Sequence, residues 1–200
     1  MIHSAPGRSG TSVRLLLVGR LKRSGSVVVE ASSTVTLVIS AGRMMVVDTG
    51  SAAEMDSLRE ALRASSVDPD EVDMVVNTHL HLDHIGGNEL FSNAKFYAHR
   101  LETPPIGTIR VSDELELLPG VRTMHTPGHT AGSISVLVQA DERYAICGDA
   151  VPTKANIEQH APPSMNIDPL LALKSMDALE AYADVMVPGH GAAFEVVGKK

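Results

Sequence analysis

Apolar residues run through the chain in short, β-branched blocks punctuated by Gly and Ser. VRLLLVGRL, SVVVEAS, STVTLVIS and MMVVDTG, between positions 13 and 50, predict four successive strands. Ser51-Ala-Ala-Glu54 then has the form of a capping box, and the spacing of Met55, Leu58 and Leu62 predicts a helix behind it. After a turn at DPDE, DMVVNT predicts a strand, GGNELF a short helix and AKFYAH another strand. Prolines break LETPPIGTIRVSD into irregular chain. ELELL, VRTMHT, SISVLVQA and YAICGD predict further strands. DPLLALKSMDALEAYA predicts the last helix, with Asp168 as its cap and Pro169 in its first position, and DVMVPGHG a final strand that breaks into a loop. The order of elements predicts an α/β architecture in one domain over residues 1–200, a central pair of sheets covered by helices.

Composition narrows the partners. The 200 residues are 44% hydrophobic and 20% charged, which is globular. The net charge of −7 argues against non-specific binding to nucleic acid or an anionic membrane. Runs such as LLLV are too short to span a bilayer, and no secretory apolar region precedes them. The basic stretch Arg8, Arg14, Arg20, Lys22 and Arg23 reads as the solvated face of a first hairpin. The single cysteine, Cys147, rules out an intrachain disulfide and suits a cytoplasmic location; in YAICGD it reads as a packed, inert thiol.

The chemistry is concentrated at HLHLDH, residues 79–84, directly behind a predicted strand. Alternate residues of an extended chain point the same way, so His79 and His81 can reach one ion together. Asp83 and His84, where the chain turns, can aim at a second point nearby. His129 in TPGHTAGS, Asp149 in CGDA and His190 in VPGHG also sit at turns after apolar strands, each beside a glycine. Five histidines and two carboxylates are enough for two ions with a bridging carboxylate and an open position for water. Ligation by N and O without thiolate suits Zn2+, with Fe and Mn as alternatives.

These motifs, with VVDTG ahead of them, resemble the metallo-β-lactamase superfamily over roughly residues 35–195. The resemblance implies a four-layer αβ/βα sandwich with a binuclear site along one edge. It implies that His79, His81 and His129 hold one metal, that Asp83, His84 and His190 hold the other, and that Asp149 bridges them. Asp48 would steady the cluster from behind. It further implies a hydrolase in which a hydroxide shared by the metals, oriented by Asp149 with Asp83 beside it, attacks a carbonyl carbon or a phosphorus. His125 matches no ligand position and reads as structural, and His3, His99 and His160 match no ligand motif.

Within the superfamily, the compact length, the short segment after GD and the ending ADVMVPGHGAAFEV are similar to the small group typified by metallo-β-lactamase domain-containing protein 1. GDAVPTKANIEQ is similar to the corresponding segment of N-acyl homoserine lactone lactonases, with Pro152 where those enzymes usually carry a substrate-contacting tyrosine. The expected activity is hydrolysis of an ester or thioester of a small molecule. The alternatives are a phosphodiesterase or ribonuclease, a lactonase, and a non-catalytic metal-binding interaction domain. Substrate contacts are expected from ETPPIGT at 102–108 and from 151–167, where Lys154 and His160 are the candidates for holding an anionic group. Nucleic acid is a less favoured substrate, no membrane partner is expected, and a homodimer is left open.

Overall fold

A computed structural model describes residues 10–25 and 27–197; His3 and Arg8 lie outside the described residues. Sheet one is formed by β1 (Ser12–Leu17), β4 (Val35–Ser40), β5 (Arg43–Val47), β6 (Met74–Val76), β7 (Lys95–His99) and β8 (Ile109–Val111), in the order β1-β4-β5-β6-β7-β8. Sheet two is formed by β9 (Glu116–Leu118), β10 (Val121–His125), β11 (Ile134–Gln139), β12 (Arg143–Gly148), β13 (Val185–Pro188) and β14 (Phe194–Glu195), in the order β14-β13-β12-β11-β10-β9. A separate hairpin pairs β2 (Arg20–Ser24) with β3 (Val27–Ser32).

The period-two geometry of a strand explains the layers. Val38, Met45, Val47, Met74 and Val76 of sheet one meet Ile134, Val136, Val138, Ile146 and Val187 of sheet two in a core between the sheets. The alternate residues Val35, Leu37, Val46 and Val75 face outward, where α1 (Met55–Ala64) covers them with Leu58 and Leu62. Leu137, Ala145, Cys147 and Met186 face α4 (Pro169–Tyr182) through Met176 and Leu179. Strands buried on both faces carry the continuous apolar runs seen in the sequence. The result is the expected four-layer αβ/βα sandwich. No helix among the described residues is long and apolar enough to cross a membrane.

Local details depart from expectation for identifiable reasons. VRLLLVGRL divides into β1 and β2 at Gly19, which packs against other main chain so closely that a Cβ there would lie 2.5 Å from Thr34 N and 2.7 Å from Gly189 O. Ser51 caps no helix; a 3-10 turn, Ala52–Glu54, intervenes, and the Glu54 carboxylate is taken by Ser32 and Arg20. GGNELF holds a 3-10 turn, Asn88–Leu90, and the helix next to it is α2 (Leu82–Ile85), inside the histidine cluster. The supposed loop after Asp149 contains α3 (Lys154–Glu158), opened by a reciprocal box between Thr153 and Asn156. Asp168 caps α4 as expected, accepting from the N–H groups of Leu170 and Leu171 at 3.0 Å.

Candidate metal centre

The fold brings eight of the candidate residues to one rim. β5, β6, β12 and β13 end there; β5 runs parallel to β6, and β12 to β13. Asp48 follows β5, His79 and His81 follow β6, Asp149 follows β12 and His190 follows β13, while α2 carries Asp83 and His84 and the turn after β10 carries His129. Main-chain bonds lock the rim across both sheets: Thr34 N–H donates to Gly189 O at 2.6 Å, Ile134 N–H to Thr78 O at 2.8 Å, and Thr49 N–H to His84 O at 2.8 Å.

Donor atoms fall into three overlapping groups, each within 4.8 Å: His79, His81 and His129; His79, His84 and Asp149; Asp83, His84 and His190. Asp149 faces two ways. Its Oδ2 lies 3.4 Å from His129 Nε2, and its Oδ1 lies 3.5 Å from His84 Nε2 and 3.2 Å from His190 Nε2. Asp83 Oδ2 is 3.6 Å from His190 Nε2. Two donors about 2.1 Å from one tetrahedral ion stand roughly 3.4 Å apart, so these spacings fit shared cations. His79 Nε2, His84 Nε2 and Asp149 Oδ1 are buried with no hydrogen-bond partner. Stranding three polar atoms together in a core is costly unless they have a common partner.

The far side of three of the rings is held by a carboxylate or a carbonyl. His84 Nδ1 meets Asp48 Oδ2 at 2.8 Å, His129 Nδ1 meets Met165 O at 2.7 Å, and His190 Nδ1 meets Ser32 O at 2.9 Å. Each acceptor fixes the proton on Nδ1 and leaves the Nε2 lone pair pointing inward. Asp48 is itself fixed, accepting from Thr78 N–H and Oγ1–H, both at 2.8 Å.

Electrostatics follow from burial and neighbours. Burial and nearby His84 push His79 well below the usual histidine range; burial and His129 lower His81. Burial also opposes charge on His84, but Asp48 and Asp149 outweigh it and hold that ring well above the usual range. His190 is raised against burial by Asp149. Burial would raise Asp149, yet His84 and His190 hold its carboxyl well below the usual carboxylate range. Ionised Asp149 beside neutral His79 and His81 is ready to ligate, whereas His84 and His190, held protonated by the carboxylates, must release a proton as a cation binds.

Other candidates lie elsewhere. Lys154 is exposed and pairs with Glu158 at 2.9 Å; His160 is exposed and pairs with Asp177 at 2.8 Å. Neither lines the cavity over the donor atoms, which is about 360 Å³ and takes Pro152, Pro163, Ser164 and Met165 from the 151–167 segment. Pro105, Ile106, Gly107 and Thr108 line a different cleft, with Leu80 and Phe91. His99, His125 and Asp113 also cluster, but the two rings are stacked 4.2 Å apart and only 12° from parallel. In-plane lone pairs of parallel rings do not converge on one ion, so that pair packs as structure.

Three contributors escaped the sequence reading. Thr78 sits between Asp48 and the rings. Glu102 accepts from Leu80 N–H at 3.0 Å, Thr130 Oγ1–H at 2.6 Å and Gly132 N–H at 3.0 Å, which joins the turns bearing His81 and His129. Arg23, read as part of a solvated face, lines the cavity. Only Glu102 had a visible cue, an acid at the start of the proline-broken loop.

The chain is similar to known proteins in sequence and fold. The family model described as the metallo-beta-lactamase superfamily matches residues 28–108. A probable metallo-hydrolase from Methanocaldococcus jannaschii is 35% identical over 183 residues, 89% of this chain and 86% of the relative. Metallo-beta-lactamase domain-containing protein 1 of Xenopus laevis is 32% identical over 96% of this chain and 84% of its own. A Bacillus thuringiensis AiiA structure with N-decanoyl-L-homoserine bound at its active site superposes with a TM-score of 0.70 at 22% identity, covering 84% of this chain and 87% of that one. The chain belongs to the metallo-β-lactamase superfamily and is a metal-dependent hydrolase.

Proposed function

We propose that the chain is a binuclear zinc hydrolase acting on an ester or thioester of a small molecule. The observation that carries this reading is the convergence of His79 Nε2, His84 Nε2 and Asp149 Oδ1, buried and unpartnered, with the two Asp149 oxygens divided between the two histidine groups. His79, His81 and His129 would hold one ion, Asp83, His84 and His190 the other, with Asp149 between them. Bound there, two divalent ions supply a water of lowered pKa and polarise the substrate oxygen. Asp149, ionised and buried, would orient that water, accept its proton on a carboxylate oxygen and release it to the leaving group. Asp48 and the Ser32 and Met165 carbonyls keep the rings from turning as charge shifts. Leu82 and Pro152 stand in the wall of the cavity over the site.

The cavity supports a small organic substrate over a nucleic-acid backbone. At about 360 Å³ it lies at the low end of the roughly 300–1,000 Å³ range of small-molecule sites, and its walls beyond the donor residues are mostly apolar. A polyanion would need a row of cations, and Arg23 is the one lysine or arginine in the lining. A lactone has the same reacting carbonyl, and the Bacillus thuringiensis neighbour binds an acyl homoserine at its active site; Pro152 replaces the tyrosine expected of that specificity.

The test is reconstitution with Zn2+, elemental analysis, and a panel of ester, thioester, lactone and phosphodiester reporters. Two ions per chain and turnover of esters or thioesters are expected. One ion or fewer, or turnover confined to phosphodiesters, would sink the reading.

A further inference from the structure

The hairpin over the site is shaped by one irregularity. Leu21 pairs with Ala31 and Lys22 with Glu30, but Arg23 pairs with Val28, so Val29 is an extra residue on β3. An inserted residue reverses which side of the following strand faces inward. Without it, Val29 would stand opposite Arg23. With it, Val29 is expelled to solvent, 62% exposed, and Val28 joins Leu21, Ala31 and Arg23 on the cavity wall. Lys22 and Glu30 pair at 2.6 Å on the other face, and Arg20 takes Glu30 and Glu54. The hairpin acid is thereby occupied. Among the described residues no carboxylate pairs with Arg23, whose guanidinium donates to Ser164 Oγ across the cavity mouth.

We infer that Arg23 is a specificity-determining residue that receives a terminal carboxylate on the substrate, and that the link between this end and the scissile carbonyl is an aliphatic chain lying along Leu21, Val28, Ala31, Leu82 and Met165. This inference rests on the esterase reading above and names its substrate class. A guanidinium uses one of its five N–H donors on Ser164, and its planar fork matches a carboxylate with the rest. One cation neutralises one charge. A terminal phosphate monoester, carrying about −1.5 to −2, would remain net negative between apolar walls and within the same cavity as Asp83 and Asp149. The hairpin thus supplies what Lys154 and His160, bound to their own acids, do not.

The experiment compares two matched esters, the mono-p-nitrophenyl ester of adipic acid and p-nitrophenyl hexanoate, on the zinc-loaded full chain. The adipate half-ester should be preferred by about tenfold in kcat/KM, the scale of a charged hydrogen bond discounted for solvent exposure. Arg23→Ala should reduce that preference to within about twofold through KM, leaving the hexanoate rate and the metal content as in the parent. Arg23→Lys should restore part of it, and Lys22→Ala, on the opposite face, none of the loss. Calorimetric affinities of free adipate and hexanoate should show the same ratio and the same collapse. No preference in the parent, equal loss on both esters in Arg23→Ala, or tighter binding of a phosphate-ended analogue of equal length overturns the inference. If neither ester turns over, the esterase reading fails, while the adipate-to-hexanoate affinity ratio still decides the role of Arg23.

Discussion

The two histidine groups are built with the same ligand chemistry and different scaffolding. Around Asp83, His84 and His190 the support is immediate: the Asp48 carboxylate touches the His84 ring, and the Ser32 carbonyl touches the His190 ring. Asp48 follows β5, and Ser32 ends β3 just before β4. Around His79, His81 and His129 it is more remote. His79 Nδ1 meets only the Thr78 hydroxyl, at 3.2 Å, His129 leans on the Met165 carbonyl in a surface loop, and His81 Nδ1 meets another donor ring, His129 Nε2, at 3.0 Å. The acid that serves this group, Glu102, reaches it through main-chain and Thr130 contacts. A charged acceptor directly on a ligand ring stiffens and enriches it more than a neutral one. The Asp83 group should therefore bind its ion more tightly, and a metal titration should resolve two steps, the tighter one abolished by His84→Ala and the weaker by His81→Ala.

Asp149→Ala carries the largest expected effect, because its two oxygens serve both groups. A loss of about 10²–10³-fold or more in kcat is expected, with depletion of both ions. Asp48→Ala should cost about 10–100-fold in affinity for one ion, that of the Asp83 group, and spare the other. Equal activity losses in these two variants with both ions retained would remove the bridging role of Asp149. A smaller effect, roughly tenfold or less, is expected of Glu102→Ala, and on the opposite group: the main-chain turns at Leu80 and Gly132 loosen, so the His79 ion should exchange faster. Exchange rates of the two ions, followed with a chelator, separate the cases. A faster loss from the Asp83 group would erase the distinction between direct and indirect support.

The same contrast explains what the sequence made legible. The ligand candidates lie in short motifs at strand ends, where period-two geometry and adjacent glycines are local properties, so they could be read without a fold. Gly189 illustrates how local the constraint is: a Cβ there would lie 2.2 Å from Asp149 Oδ1. Asp48 was legible only through the resemblance. Thr78 and Glu102 act through partners brought close by tertiary packing; nothing around Thr78 marks it, and the one cue to Glu102 is its place at the start of the proline-broken loop. Arg23 is exposed, as the reading of a solvated hairpin face has it, but only the tertiary placement of the hairpin shows that it also lines the cavity. The large apolar strands were plain; β8, β14 and α3 were missed because two or three paired residues, or one helical turn, carry too little periodicity to stand out. Cys147 was legible as packed: burial pushes its thiol up and its Sγ contacts Ala145 O at 3.2 Å, so it should resist alkylation until the protein unfolds.

The smallest expected effect belongs to the pair that the sequence nominated for substrate binding. Lys154 stands on α3 with Glu158 four residues on and its ammonium 5.9 Å from the centre of the Phe194 ring; His160 faces Asp177 of α4. All four charged side chains in these pairs are more than half exposed. Solvent-screened pairs of this kind contribute little to stability, and neither residue reaches the cavity wall. The double substitution Lys154→Ala, His160→Ala should therefore leave kcat, KM and metal content within about twofold of the parent on carboxylate-ended and neutral esters alike. Arg23→Ala, on the cavity wall, should discriminate between the same two esters. A rise in KM for the anionic ester in the double variant, matching that of Arg23→Ala, would return anion recognition to the 151–167 segment and show that α3 shifts toward the site when substrate binds.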